Sequence, residues 1–376
     1  MNRAQRIMAI VVVISGLGLM AEAQSNLLRL ASEGNTVQIK KVIQAGSDVN
    51  ISDDYGRTAL MLAASEGHIA AVNVLLENGA EVNVFDSGGT TPLVCAALGG
   101  KIEIVRLLLE AGANPQAQGI YGWSTLMWAV RQNNLDMVRL LVKAGAEVNI
   151  QDDHGYTMLM EASVKGHQKI AQILIDNRAE IDAQDDIGLT ALMYAIGYGH
   201  KAIVRDLLSA GPDLEIENSF GRTALINAGG IGDPEVIQSL VDAGADLSKR
   251  DSEGRSSLSF ALQNRHVDTI KLLLDLGIPV EPKKIEGIVA LMYAVYKDNA
   301  QGVNELLESG VDINGTDPYQ RTPLLVAVYQ GNADMVRLLL DSGALTNIES
   351  RSGRTAVSAA RDLGDADIIQ LLQISD

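Results

Sequence analysis

The stretch Gly56-Arg57-Thr58-Ala59-Leu60-Met61-Leu62-Ala63-Ala64, GRTALMLAA, decides how this chain is read, because it returns nine more times at intervals of 33 residues. The next copies are GTTPLVCAA from Gly89, GWSTLMWAV from Gly122, GYTMLMEAS from Gly155, GLTALMYAI from Gly188 and GRTALINAG from Gly221. GRSSLSFAL follows from Gly254, GIVALMYAV from Gly287, QRTPLLVAV from Gln320 and GRTAVSAAR from Gly353. A register held through ten copies without insertion or deletion makes the chain its own alignment. It dictates a repeat architecture, in which each unit buries its apolar face against its neighbours.

Each unit carries the local chemistry of a tight turn followed by two short helices. Two residues after the glycine stand Thr58, Thr91, Ser124, Thr157, Thr190, Thr223, Ser256, Thr322 and Thr355, hydroxyl residues suited to accept a backbone N–H at a helix start. Only Val289 breaks that series. Pro92 and Pro323 come next, at the first helical position, where a missing N–H costs nothing. Gly67, Gly100, Gly166 and Gly199 are placed to end the first helix. A second helix, such as Ile102 to Glu110, stops at a glycine such as Gly79, Gly112, Gly145, Gly244 or Gly343. An extended piece, as in Val82-Asn83-Val84-Phe85-Asp86, then turns back towards the following glycine.

Helices this short are not stable alone in water, so stacking must hold them. Leucine recurs from Leu60 to Leu324, and alanine recurs from Ala63 to Ala360. The leucines, with Leu75, Leu108, Leu141 and Leu174 of the second helices, are the expected core, each worth about 1.5–3 kcal/mol when buried. The alanines let neighbouring units approach closely.

The pattern resembles the ankyrin repeat, whose T-P-L-H-x-A signature is matched by TALMLAA, TPLVCAA, TMLMEAS and TPLLVAV over nearly the whole chain. The resemblance implies an all-α solenoid of helix-turn-helix units joined by β-turn fingers, with about eleven units counted from Ser25. It also implies a protein-binding concave face and no enzyme activity. One departure is consistent. The histidine after the leucine is replaced by Met61, Met127, Met160, Met193 and Met292 and by Val94, Ile226, Ser259, Leu325 and Ser358. Methionine there predicts apolar packing where the family has a hydrogen-bond ladder.

Before the repeats, Arg3 and Arg6 precede an apolar run from Ile7 to Met20 that closes on Ala21-Glu22-Ala23. That order is expected of a secretory signal cleaved after Ala23, and the run is shorter than the roughly 20 residues of a membrane-spanning helix. The expected organisation is a signal peptide over 1–23, a partial capping unit over 24–52, nine repeats over 53–349 and a capping unit over 350–376. Removing 1–23 takes away two arginines and one glutamate, moving the formal charge from -17 to -18. So acidic a chain, with no basic run beyond Lys283-Lys284, is not expected to bind nucleic acid. Periplasmic export is expected, with full secretion as the alternative. A monomer is expected, without stable membrane insertion after cleavage.

Catalytic constellations are missing. Cys95 is the single cysteine, so no internal disulfide can form. His68, His167, His200 and His266 share one repeat position just after the first helix, and rows a repeat apart are too far separated to share a metal. Gly229-Gly230-Ile231-Gly232 lacks the lysine and register of a phosphate loop and reads as a helix end before Asp233-Pro234. No cofactor and no metal are expected.

Positions that vary between units were free to be chosen by something other than packing. Those beside the turn glycine and at the end of the first helix vary most, and in the ankyrin family they line the concave face. They place Tyr121, Trp123, Arg131 and Gln132 in one unit, His154 and Tyr156 in the next, and Tyr198 in a third beside Ile187 and Leu189, where Tyr194 joins from the position equivalent to Trp128. Trp128 lies inside a helix, but its equivalents include Glu161 and Asn227, which predicts an open position. It also shares a face with Arg131 and Gln132. With Trp128, the eight aromatic and polar residues so placed are the candidate protein-binding site. Two breaks predict local weakness: the unit with Val289 and Asp298 should form a softer joint, and Arg178 stands where glycine usually ends a helix.

Overall fold

The computed structural model describes residues 26–119 and 122–374, so the expected signal segment lies outside the described residues. The chain divides into two compact units, Met1–Asp213 with Glu217–Ser219 and Leu214–Ile216 with Phe220–Asp376. Among the described residues there are 22 helices and no strand. The first unit holds α1 (26–32), α2 (Thr36–Gln44), α3 (Ala59–Glu66), α4 (Ile69–Glu77), α5 (Pro92–Leu98) and α6 (Ile102–Glu110). It continues with α7 (Thr125–Arg131), α8 (Leu135–Lys143), α9 (Met158–Lys165), α10 (Gln168–Asp176), α11 (Ala191–Gly197) and α12 (Lys201–Ser209). The second holds α13 (Ala224–Ile231), α14 (Pro234–Asp242), α15 (Ser257–Gln263), α16 (Val267–Asp275) and α17 (Ile285–Tyr296). It ends with α18 (Ala300–Glu308), α19 (Pro323–Tyr329), α20 (Ala333–Asp341), α21 (Ala356–Leu363) and α22 (Ala366–Ile374). The architecture is the expected all-α solenoid.

The hydroxyl positions do what their spacing predicts. Thr58, Thr91, Ser124, Thr157, Thr190, Thr223, Ser256, Thr322 and Thr355 each accept the backbone N–H three residues on. The methionines in the histidine's place are buried, as expected, and two find a further use. The Met61 and Met160 sulfurs accept the backbone N–H of Thr58 and Thr157, closing the cap from the other side. The repeated leucines are buried too, as at Leu60, Leu93, Leu126 and Leu159, and so are Ala63, Ala96, Ala129 and Ala162.

Three kinds of ladder tie neighbouring helix pairs together. In one, Asn83 takes the N–H of Asn114 and donates to the Gly112 carbonyl, while Asn149 does the same with Glu180 and Arg178. In a second, the turn fingers bond through the backbone, Ser87 N–H to the Tyr55 carbonyl and Asp186 N–H to that of His154. In the third, Nε2 of His68 and of His200 meets the Ser32 and Val164 carbonyls in the first helix of the preceding repeat. The ring of His200 lies over Gly166, where a Cβ would come within 2.6 Å of it. Asn133 takes the place of that glycine one unit earlier, at φ 55°, and there Nε2 of His167 closes no hydrogen bond among the described residues. Arg178 has φ 64°, the left-handed conformation expected where glycine is missing.

The unit with Val289 departs from the reading of Gly287 as a turn glycine. α17 starts at Ile285 and runs 12 residues, so Gly287 is helical and the finger is replaced by an extra helical turn. This helix start sits tightly on the preceding chain, where a Cβ on Gly287 would lie 2.7 Å from the Pro282 carbonyl oxygen. The extra turn carries Glu286 inwards. Its carboxylate, 1% exposed, accepts from the Ser256 hydroxyl at 2.7 Å and from that of Ser259, and lies 3.5 Å from Arg250 Nη1. Two serines and an arginine from the preceding repeat thus brace the joint that has lost its cap.

Candidate partner-binding site

The fingers before α9 and α11 are each built on a carboxylate. Asp152 Oδ1 accepts the N–H groups of His154 and Tyr156, and Asp185 Oδ1 those of Ile187 and Leu189. The same turn forms at Asp53, Asp251 and Asp317, where the second oxygen is held by an arginine of the same finger, Arg57, Arg255 or Arg321. Trp123, Tyr156 and Leu189 stand in that arginine's place, so three consecutive fingers of the first unit carry an aromatic or apolar side chain where those at Asp53, Asp251 and Asp317 carry a cation.

Those substitutions start a connected run of side chains. The Trp123 and Trp128 rings lie 4.9 Å apart, and the Arg131 guanidinium sits over Trp123 at 5.0 Å. Arg131 Nη1 lies 3.9 Å from Oε1 of Glu161, and the Tyr156 hydroxyl donates to the other oxygen, Oε2, at 3.1 Å. Tyr156 then meets Tyr194 edge to face at 5.6 Å, and the Tyr194 hydroxyl donates to Asp185 Oδ2 at 2.5 Å. Burial first, and then the neighbouring carboxylates, push both phenols well above the usual tyrosine range, so both remain donors.

Glu161 is the residue that the sequence placed wrongly. A glutamate at the Trp128 position pointed to an open site, yet Glu161 is 5% exposed and Trp128 is half-buried. The carboxylate is tolerated inside because Tyr156 supplies a donor and Arg131 a cation at longer range. Its Oε1 has no hydrogen-bond partner among the described residues, an arrangement that costs free energy unless something donates to it.

The other candidates separate. His154 is exposed, its Nδ1 3.4 Å from Asp186, and with Tyr156 and Tyr194 it lines a cavity of about 310 Å³ closed by Asp152, Asp185, Asp186 and Ile187. Gln132 does not join the aromatic run. Its amide donates to the Ala97 and Leu98 carbonyls of the preceding repeat, a structural tie. Tyr198 is exposed and makes no ring contact with the run among the described residues, and Tyr121 lies outside them. Glu161 and Asp185 were not foreseen. The missing arginine after Gly155 and Gly188 was the available signal.

A family model described as "Ankyrin repeats (3 copies)" matches residues 27–119, 116–185, 192–284 and 291–376. The chain belongs to the ankyrin-repeat family. No curated protein matches it. Ankyrin repeats generally mediate protein–protein interaction and are typically non-enzymatic scaffolds. Within this ankyrin chain, Cys95 is half-buried and its thiol is pushed up to about 12 by burial and by Asp86, so it is not a nucleophile at neutral pH. Among the described residues no group of three His, Cys, Asp or Glu is placed to hold a metal, and no helix is long and apolar enough to cross a membrane.

Proposed function

We propose that this ankyrin-repeat protein is an exported scaffold, periplasmic in its working compartment, that holds a protein partner on the surface formed by Trp123, Trp128, Arg131, Tyr156 and Tyr194. The observation that carries the reading is the run of rings and charges through three consecutive repeats, which encloses a buried glutamate oxygen without a hydrogen-bond partner among the described residues. Aromatic and arginine side chains grouped in this way are the usual anchors of protein interfaces. The adjoining cavity, with Asp152, Asp185 and Asp186 in its wall and no lysine or arginine, favours a partner that presents a basic side chain there. Export rests on the charged start, apolar run and small-residue step of the first 23 residues.

The test is crosslinking in the native compartment, with identification of the captured protein for wild type, Trp123→Ala and Trp128→Ala. Truncation of a tryptophan anchor costs about 2–4 kcal/mol, so capture should fall at least thirtyfold at partner concentrations below saturation. Equal capture by all three folded proteins removes the proposed surface. Cell fractionation with and without residues 1–23 tests the compartment: retention of the intact chain in the cytoplasm contradicts export.

A further inference from the structure

The second unit holds a groove of its own. It has a volume of about 610 Å³ and a floor taken from one stripe of α17, Val289, Met292, Tyr293 and Tyr296. One wall is the junction of α15 and α16, with Leu262, Val267 and Ile270, and the other is the turn finger with Pro318 and Tyr319. The groove lies on the unit whose own finger has been replaced by helix, and it carries large apolar groups in water: Tyr296 and Tyr319 are both more than half exposed.

Its charge is opposite to that of the chain. In a protein of net charge -17, the groove is lined by Arg265, Lys271, Arg321 and Arg351 against a single carboxylate, Asp317. Asp317 is already engaged by Arg321. Among the described residues no hydrogen bond or ion pair is made by the side chains of Arg265, Lys271 or Arg351, which leaves three exposed cations around an apolar floor. Arg265 is held at φ 60°, in the slot where Gly67, Gly100, Gly166 and Gly232 end their helices.

We propose that this groove is a docking site for an acidic peptide segment of a partner protein, an extended stretch in which an apolar side chain is flanked by aspartate or glutamate. The apolar side chain rests on Val289, Met292 and Tyr296. The flanking carboxylates meet Arg265 and Lys271 at one end and Arg351 at the other. Arg265 and Lys271 belong to one repeat and Arg351 to a later one, and stacked helices stand roughly 10 Å apart, so an extended chain reaches all of them where a compact anion does not. Beyond Tyr319 a second cavity of about 370 Å³ shares Arg321 and Arg351 and adds Tyr329 with the Ser350 and Ser352 hydroxyls, which extends the track for the same segment.

The test probes an array of short synthetic peptides with the full chain. One set alternates glutamate with Leu, Phe or Tyr, a second replaces every glutamate by lysine, and a third replaces the apolar residues by serine. The first set should bind best, and binding should weaken as salt is raised. A triple variant, Arg265→Gly, Lys271→Gln and Arg351→Gln, should weaken it roughly tenfold or more. Arg265→Gly suits the local backbone and the other two side chains are exposed, so the variant should fold. Binding by the lysine set at equal strength, or unchanged binding by the triple variant, overturns the proposal. So does equal affinity for a single-stranded oligonucleotide, which would make the groove a general polyanion site. Trp123→Ala should leave peptide binding unchanged, which separates this groove from the surface in the first unit.

Discussion

Each compact unit buries a glutamate, and the two are treated differently. Glu286 in the second is surrounded: the hydroxyls of Ser256 and Ser259, the Glu281 N–H and the Arg250 guanidinium all reach its oxygens. Glu161 in the first has the Tyr156 hydroxyl on one oxygen and only a distant arginine at the other. A buried carboxylate whose oxygens are satisfied within the fold is a brace. One left half-satisfied, beside two tryptophans and two tyrosines, has capacity that the fold does not use. The difference separates structure from candidate function without reference to any relative.

The comparison is most easily broken at Glu286. Glu286→Ala leaves Arg250 and two serines facing an apolar gap, and removal of one partner from a buried charged cluster costs about 3–5 kcal/mol. Urea denaturation should show the loss, and hydrogen exchange should place it in α15 and α17. A loss below about 1 kcal/mol would mean that the brace is ornamental. Tyr156→Phe asks the converse question in the first unit. It removes the one side-chain hydrogen bond to the Glu161 carboxylate among the described residues while keeping the ring against Tyr194, and should cost about 1.5–2 kcal/mol. A neutral outcome would show that water or a rotated Arg131 takes over.

A smaller effect sharpens the view of the first unit. Asn133→Gly relieves a left-handed residue next to the candidate surface and clears a seat for the His167 ring, so it should add about 1 kcal/mol to the urea-derived stability. No gain would mean that the unpartnered His167 nitrogen is held off for another reason. The least effect concerns the fingers. Burial acts to raise the pKa of Asp251, but the Arg255 side chain and the N–H groups of Arg255 and Glu253 outweigh it and hold the carboxyl below the usual range. A depressed folded-state pKa adds stability above the unfolded value of about 3.9 and loses it as the pH falls through the folded value. Arg255→Ala should therefore be less stable than wild type at neutral pH, and the gap should shrink once the pH drops below about 4. A gap independent of pH would assign Arg255 to packing against Phe260.

Much of this was legible in the chain because its determinants are local and recur. Thr58 and its equivalents cap because a hydroxyl reaches an N–H three residues away, whatever lies beyond. Met61 is buried because its neighbours repeat every 33 residues. The candidate surface was legible in part. Trp123, Trp128, Arg131, Tyr156 and Tyr194 do come together, whereas Gln132 turned out to tie two repeats and Tyr198 stands apart. Glu161 was misread because residue type was used as a gauge of exposure. Its burial depends on a tyrosine hydroxyl from the finger before it, and repeat spacing does not show that contact.

Sequence alone determined the fold class, the 33-residue register, the helix starts and most helix stops, since each follows from side chains acting on backbone within a few residues. Tertiary structure alone decided that Gly287 is helical, that Glu286 reaches back to Ser256 and Ser259, and that one oxygen of Glu161 is left without a donor. Those outcomes depend on how neighbouring repeats pack, on a helix start seated against the Pro282 carbonyl and a hydroxyl that happens to come within reach. Repetition writes local chemistry ten times over, but a contact made at one joint is written only once.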